Sequence, residues 1–190
     1  MKTLLRALCV ALLLVAVPMS LADEDKDENK QAKQAEKRSK IDERSNKILN
    51  EILGESADAK ELHGKAMGYA VFDNTKVAFG ISGGGGSGVA VNKSSGERTY
   101  MKMGSGGVGL GIGAKTYQVL MFFENAKVFE NFLESGWQGD AQAGAAAGSA
   151  GAAAKTTFHN GMAVFVRTKK GLMASADVSG TKYWQSDLND

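Results

Sequence analysis

Residues 80–84 read Gly-Ile-Ser-Gly-Gly, the Gly-x-Ser-x-Gly pattern in which Ser82 would be the nucleophile of a serine hydrolase. That pattern requires a sharp strand-to-helix turn and a histidine base. Here more glycine and then a strand-like segment follow, and the histidines are His63, at a predicted helix end, and His159, beside a predicted turn. Surface or capping roles explain both histidines better, so hydrolysis through Ser82 is the weakest of the hypotheses.

A second pattern alternates glycine with larger residues in "SGGVGLGIGAK". Its glycines are Gly107, Gly109, Gly111 and Gly113. A Walker phosphate loop needs lysine directly after its last glycine, but Ala114 separates Gly113 from Lys115. A dinucleotide-binding fingerprint needs a helix that opens within the motif, whereas the period of two continues to Met121. The pattern therefore predicts a strand with a bare face, which serves either close packing or the floor of a groove for an extended ligand such as an acyl chain.

The composition narrows the function classes further. No cluster of cysteine, histidine and carboxylate has metal-ligand spacing, so no metal or other cofactor is implied. The formal net charge is +2 at pH 7, and it falls to about zero if a leader carrying Lys2 and Arg6 is removed. A charge near zero argues against broad electrostatic binding of nucleic acid.

The N-terminus has the features of a secretory signal peptide. Lys2 and Arg6 precede an apolar run over residues 7–17, which is shorter than the about 20 residues that span a bilayer. Ser20 and Ala22 supply the small residues that a signal peptidase needs. We therefore expect a cleaved signal rather than an uncleaved membrane anchor.

Cleavage of residues 1–22 would leave a mature chain with neither cysteine nor proline. Residues 23–55 then form a spacer of mixed charge, helical in its second part. An apolar stripe at helical spacing comprises Ile41, Ile48, Leu49, Ile52 and Leu53. Because the polar face mixes acids with bases, we expect this helix to pack on the domain rather than lie on a membrane. Ser56 is a predicted cap for a second short helix, which begins a domain over residues 56–190.

From Gly68 onward the pattern is that of short strands and tight turns. Turns are predicted at Asp73-Asn74, at residues 94–96 and at residues 169–171, the last inside a final hairpin. Asn125 is a predicted cap for a helix that ends at Gly136. The fold class is therefore α+β: an antiparallel, glycine-rich sheet or partial barrel with packed helices.

The order of three segments resembles the SYLF lipid-binding domain family, in particular its secreted bacterial members. The segments are "KAMGYAVFDNTKVAFGISGGGGSGVAV", "GSGGVGLGIGAKTYQVLMFFENAKVFENFLESG" and "KGLMASADVSGTKYW", within residues 56–184. The resemblance implies lipid or membrane association without catalysis, and it supplies no catalytic residues. Animal relatives use a basic N-terminal extension to bind phosphoinositides, which the mixed-charge helix of this chain does not match. Signal-bearing relatives come largely from bacteria with two membranes, so we expect export to a Gram-negative periplasm.

Several cationic and aromatic residues are candidates for contact with a lipid headgroup, because they flank the final turn, bracket the glycine strand or suit a membrane interface. They are Lys102, Lys115, Arg167, Lys169, Lys170 and Trp184. The alternative function is an envelope scaffold that engages another protein through the charged N-terminal helix and binds no lipid.

Overall fold

The computed structural model describes residues 21–138, 156–168, 171–174 and 181–190. The predicted signal peptide up to Ser20, the small-residue tract over 139–155 and the lysines at the predicted final turn lie outside these ranges. The helices are α1 (Leu21–Glu55), α2 (Ala57–Lys65) and α3 (Ala126–Ser135), with a 3₁₀ turn at Asp187–Asn189. The strands are β1 (Gly68–Asn92), β2 (Arg98–Phe123), β3 (Trp137–Gln138), β4 (Met162–Thr168), β5 (Gly171–Ala174) and β6 (Thr181–Gln185).

The second part of α1 belongs to the folded domain. The chain divides into two compact units, one ending at Ala35 and the other spanning Glu36–Asp190. Within the second unit the predicted apolar stripe of α1 is buried at Ile48, Leu49 and Ile52, which confirms the expectation of packing. The stripe belongs to the same apolar cluster as Val71 and Leu120 of the sheet, so this part of α1 packs on the strands.

Two very long strands form the central hairpin. β1 and β2 pair antiparallel from Val91↔Arg98 at the turn to Gly68↔Phe123 at the open end. The predicted turn at residues 94–96 is confirmed. The turn predicted at Asp73-Asn74 is wrong, because both residues lie inside β1. Asn and Asp favour turns through local hydrogen bonds, but continuous pairing with β2 keeps this segment extended.

All strand pairs are antiparallel, and β2 is the strand on which the sheet is built. One edge of β2 pairs with β1 along its length, while the other edge pairs with β6 near its start and with β4 near its end. β5 continues the sheet beyond β4, and β3 continues it beyond β6. The sheet is not closed, so the predicted α+β fold is confirmed as an open antiparallel sheet with packed helices.

The long hairpin is bent near its middle. The register shifts between Phe79, which pairs with Ile112, and Ile81, which pairs with Val108. Beyond this shift β1 doubles back on itself. A Cβ atom built at Gly84 would lie 3.0 Å from the Thr75 carbonyl oxygen. Bulges increase the local twist and kink a strand, and the absence of side chains here allows the two halves of β1 to touch.

The interior divides into two apolar clusters. One lies under α1 and α2 and contains Val71, Leu120 and Phe122. The other contains Phe72, Met121 and Tyr183 and is covered by α3. The predicted start of α3 is confirmed, because Asn125 Oδ1 accepts a hydrogen bond from the Val128 amide at 3.1 Å. Its predicted end is confirmed by Gly136, which has φ +65°.

Candidate functional site

Among the side chains that the structure describes, four large apolar ones are exposed at the bend of the hairpin, and we call them the apolar tip. They are Val77 (54% exposed), Phe79 (74%), Ile81 (76%) and Ile112 (84%). Phe79 and Ile112 are a direct cross-strand pair and therefore lie on one face. Single exposed apolar residues are ordinary, but a contiguous group of them marks an interaction site.

The backbone explains why these residues cannot turn inward. The bulge carries the chain past the cores, and Gly113 next to Ile112 has φ +142°, a conformation that residues with a side chain rarely adopt. Ala114, opposite Val77, is also exposed, so its small side chain leaves Val77 uncovered on this face. The tip is held by paired strands on both sides of the bend and is exposed at the bend itself.

Two lysines lie directly beside the apolar tip. Lys76 pairs with Lys115 in the register, one position from the Val77↔Ala114 pair. Both lysine side chains are exposed. Among the residues that the structure describes, neither side chain has an ion pair or a hydrogen bond. Of the predicted headgroup residues, Lys115 is therefore the one at the tip.

Lys102 and Trp184 are brought together elsewhere, before the bend of β2. They are a cross-strand pair of β2 and β6. The Lys102 ammonium forms an ion pair with Asp187, and its hydrogen bond lowers the pKa of that carboxyl group. Trp184 is 41% exposed, and its ring lies over Gly104. Lys102 is thus already matched by a carboxylate, whereas Trp184 keeps part of its ring open to solvent.

Arg167 is engaged by α1 rather than free for a headgroup. Its guanidinium contacts Glu51 at 2.6 Å and Glu55 at 2.8 Å, and it donates to Gln118 Oε1 at 2.9 Å. The hydrogen bond to Glu55 is the largest cause of the raised pKa of Arg167, and Glu51 adds to it. Arg167 therefore links β4 to α1 through ion pairs. Lys169 and Lys170, its predicted neighbours at the turn, lie outside the described residues.

The alternating glycines of "SGGVGLGIGAK" lie in β2 near the bend of the hairpin. Gly107 and Gly113 are exposed near the bend, and a Cβ at Gly113 would meet open space. The side-chain surroundings of Gly109 and Gly111 lie outside the description. Close packing was one of the two roles considered for this alternation, and glycines that pack closely on backbone or side-chain atoms occur at Gly84, Gly86 and Gly88. The face of β2 at Gly107 and Gly113 is open because the bend carries it away from both cores.

The surroundings of Ser82 do not form a hydrolase elbow. Ser82 lies inside β1, is buried, and donates a hydrogen bond to the Gly107 carbonyl oxygen at 3.2 Å. His63 packs instead against the rings of Tyr69 and Phe122, with centroid distances of 5.6 and 5.8 Å. In the described ranges no group of three or more His, Cys, Asp and Glu residues has a geometry that could hold a metal ion.

A polar cleft of 430 Å³ lies near the start of β2. Its lining carries both charges and includes Arg38, Arg98, Glu130, Gln185 and Asn189. Its arginines are already engaged, because Arg98 pairs with Asp42 at 2.8 Å and Arg38 donates to the Asp190 carbonyl oxygen at 3.0 Å. This cleft is therefore polar and of mixed charge, whereas the tip combines exposed apolar side chains with two lysines.

Sequence reasoning missed Val77, Phe79, Ile81, Ile112 and Lys76. A signal was present in "KVAFGI", where apolar residues occupy alternate positions beside a glycine-rich segment. That alternation predicts a strand with one apolar face, but it does not say that the face is uncovered. The exposure follows only from the place where β1 doubles back.

None of the helices in the described part of the chain is long and apolar enough to span a membrane. A family model for Ysc84, described as a Las17-binding protein actin regulator, matches residues 104–189. Beta cell expansion factor A from Aeromonas veronii is 38% identical over 174 residues, which cover 90% of this chain and 67% of that protein. The family model includes the second and third segments that carry the resemblance, and the relative covers most of the chain. The chain belongs to the Ysc84 (SYLF) domain family.

Proposed function

We propose that this protein binds phospholipid membranes by inserting its apolar tip into the outer part of the bilayer. The observation that carries the proposal is the exposure of Val77, Phe79, Ile81 and Ile112 at a single bend. Full burial of one such side chain is worth ~1.5–3 kcal/mol, so partial burial of four provides a substantial driving force. The family membership supports the proposal, because the family resemblance implies lipid association.

The backbone at the tip suits an apolar environment. Val77, Ala78 and Phe79 pair with Ala114, Gly113 and Ile112. The backbone N–H and C=O groups that point from β1 toward β2 here are therefore already hydrogen-bonded. Unpaired backbone groups are costly in lipid, and a paired hairpin reduces that cost. Aromatic and aliphatic side chains can therefore enter the interface without unfolding the strands that hold them.

The proposal includes export and assigns no catalytic role. The basic, apolar and small-residue order of residues 1–22 supports processing after Ala22, which would place the domain in the periplasm next to a membrane surface. The names of the matched proteins refer to actin regulation and to beta cell expansion, and we transfer neither activity to this chain.

The test is flotation with phosphatidylcholine vesicles, using the chain that begins at Asp23 so that the apolar leader does not contribute. We expect the wild-type chain to float and the Phe79→Ser/Ile112→Ser variant to lose most of its binding. Each lost side chain was largely exposed, so the variant should keep the wild-type unfolding midpoint.

Trp184→Ser provides the matched control, because Trp184 is also partly exposed but lies away from the tip. We expect this control to float like the wild type. Equal flotation of the wild type and the double variant would reject the tip as the membrane site. Failure of the wild type to float with any vesicle would favour the scaffold alternative and direct the search to the charged part of α1.

A further inference from the structure

We propose that Lys76 and Lys115 together bind the phosphate of an anionic phospholipid headgroup at the edge of the apolar tip. This proposal rests on the proposed function, because the headgroup belongs to a lipid of the same bilayer that the tip enters. Neither the family match nor the relative's name refers to these positions.

The first argument is the direct opposition of two like charges. Lys76 and Lys115 are cross-strand partners in β1 and β2, so their Cβ atoms are ~4.5–5.5 Å apart. Like charges in directly opposed positions destabilise a sheet. Neither lysine has a carboxylate partner within the described ranges. An anion bound between the two ammonium groups would remove this repulsion.

The second argument is the position of the pair relative to the tip. The lysines are one residue from Val77 and Ala114, on the side of the bend that leads back to the domain. When the tip enters the apolar boundary, the lysine pair lies at the depth of the headgroups. Long lysine side chains can also extend along the strand to keep their ammonium groups in the polar layer.

The third argument is the polarity of the next pair on the same face. Asn74 and Tyr117 are cross-strand partners two positions from the lysines, so the four residues share a face. Asn74 is 1% exposed, and neither atom of its side-chain amide makes a hydrogen bond. The Asn74 side chain is enclosed against Gly86 in the second half of β1, so it does not reach an external anion. The face beside the lysines is therefore polar, and its positive charge comes from Lys76 and Lys115.

These features favour a lipid phosphate over a protein carboxylate. By strand alternation the lysines point to the opposite face of the hairpin from Val77 and Phe79. A bilayer surrounds an inserted tip and offers acyl chains and phosphates to both faces, whereas a protein partner would have to cover both. Lysine acts as a compact point charge and suits phosphate without the bidentate geometry that arginine provides.

The test compares binding to phosphatidylcholine vesicles with binding to vesicles in which part of that lipid is replaced by phosphatidylglycerol. We expect the wild type to bind the anionic vesicles more tightly. Each lysine near an anionic surface contributes about 1 kcal/mol, so Lys76→Gln/Lys115→Gln should weaken anionic binding about 10- to 30-fold. Its binding to neutral vesicles should equal that of the wild type.

The control is Lys47→Gln/Lys127→Gln, which removes the same charge from exposed positions on α1 and α3. We expect it to weaken anionic binding less than about 3-fold, since neither lysine lies on the strands that carry the tip and salt screens exposed charges. Equal loss in the two double variants would overturn the lysine pair and leave only a net-charge effect. Loss of the wild type's neutral binding would instead reject the proposed function of the tip, so the two failures are distinguishable.

Two further measurements complete the test. Inorganic phosphate, at an ionic strength matched with chloride, should not displace the wild type from anionic vesicles. Displacement by phosphate alone would assign the site to a soluble anion and overturn the lipid assignment. In the absence of vesicles, Lys76→Gln/Lys115→Gln should keep or slightly raise the unfolding midpoint, because the opposed charges are gone. A large fall would show that the lysines are structural and would also overturn the proposal.

Discussion

The two glycine-rich tracts of this domain have similar compositions and different physical roles. In the first tract, residues 83–88, alternate glycines face the first half of β1, where a Cβ at Gly88 would overlap the Val71 carbonyl oxygen. In the second tract, residues 106–113, Gly106 and Gly113 face open space. The first tract supplies room for close backbone contact, and the second lies at the bend that carries the apolar tip. Glycine content alone therefore does not distinguish packing from exposure.

The largest expected effect concerns the first tract. In Gly88→Ala the new methyl group would also lie 2.6 Å from Phe72 Cδ1, and the Val71 backbone cannot move without disturbing β1. We expect the free energy of unfolding to fall by about 3 kcal/mol or more. Urea denaturation of purified variants would measure it.

The matched control in the same strand is Gly83→Ala, whose Cβ meets no atom within 4 Å. Its stability should change by less than about 0.5 kcal/mol, or rise because alanine restricts the unfolded chain. If Gly83→Ala and Gly88→Ala are equally stable, β1 does not double back as described, and the contrast between the tracts fails.

An intermediate effect is expected at the bend. Gly113 has open space around it, but its φ of +142° is unfavourable for any residue with a side chain. Gly113→Ala should therefore lower the free energy of unfolding by about 1–3 kcal/mol through backbone strain alone. Gly106→Ala, with open space and an ordinary φ, should be close to neutral. Thermal unfolding that shows the same loss in both variants would contradict a conformational role for Gly113.

The smallest expected effect is a pH dependence of stability that arises at His63, outside both glycine-rich tracts. Burial lowers the pKa of His63 below its ordinary value of 6.5, and the nearby charge of Lys93 adds to this shift. The unfolded chain then binds more protons, so the stability that neutral His63 contributes is present above pH 6.5 and is lost as the pH falls below it.

His63→Gln should flatten this part of the pH profile, while Gly83→Ala and Gly106→Ala should keep the wild-type slope. Urea midpoints measured at a series of pH values between neutral and mildly acidic would show it. A wild-type slope in His63→Gln would mean that other groups cause the pH dependence.

Features that depend on a few neighbouring residues could be predicted from the sequence. The caps at Ser56 and Asn125 and the helix end at Gly136 involve hydrogen bonds or dihedral angles within three positions, and all are confirmed. The turn predicted at Asp73-Asn74 failed because pairing across the whole hairpin outweighs local preference. The segments on either side of Asp73-Asn74 were correctly predicted to be strands, but the sequence did not show that they form one continuous strand, β1.

The candidate site required contacts between distant residues. Lys76 meets Lys115 only through the register of the hairpin, and the tip is exposed only because β1 touches itself beyond the bend. The sequence marks Lys102 and Lys115 as similar cations. In the structure they differ, because Lys102 forms an ion pair with Asp187. The two partners are far apart in the chain, so no local sequence pattern reveals this contact. Residue type could therefore nominate Lys115, but only the fold places it beside the tip.

The position of β6 has a consequence for the order in which the chain folds. The turn between β1 and β2 can close first, since Val91 and Arg98 are near in sequence, while Gly68 and Phe123 must close a far longer loop. The interior cluster also needs the Tyr183 ring, 4.6 Å from Phe72, and the cluster beneath α1 needs Leu188. Both residues lie within the last eight positions of the chain. Folding can thus start at an internal turn, yet it reaches completion only when synthesis has delivered Tyr183 and Leu188.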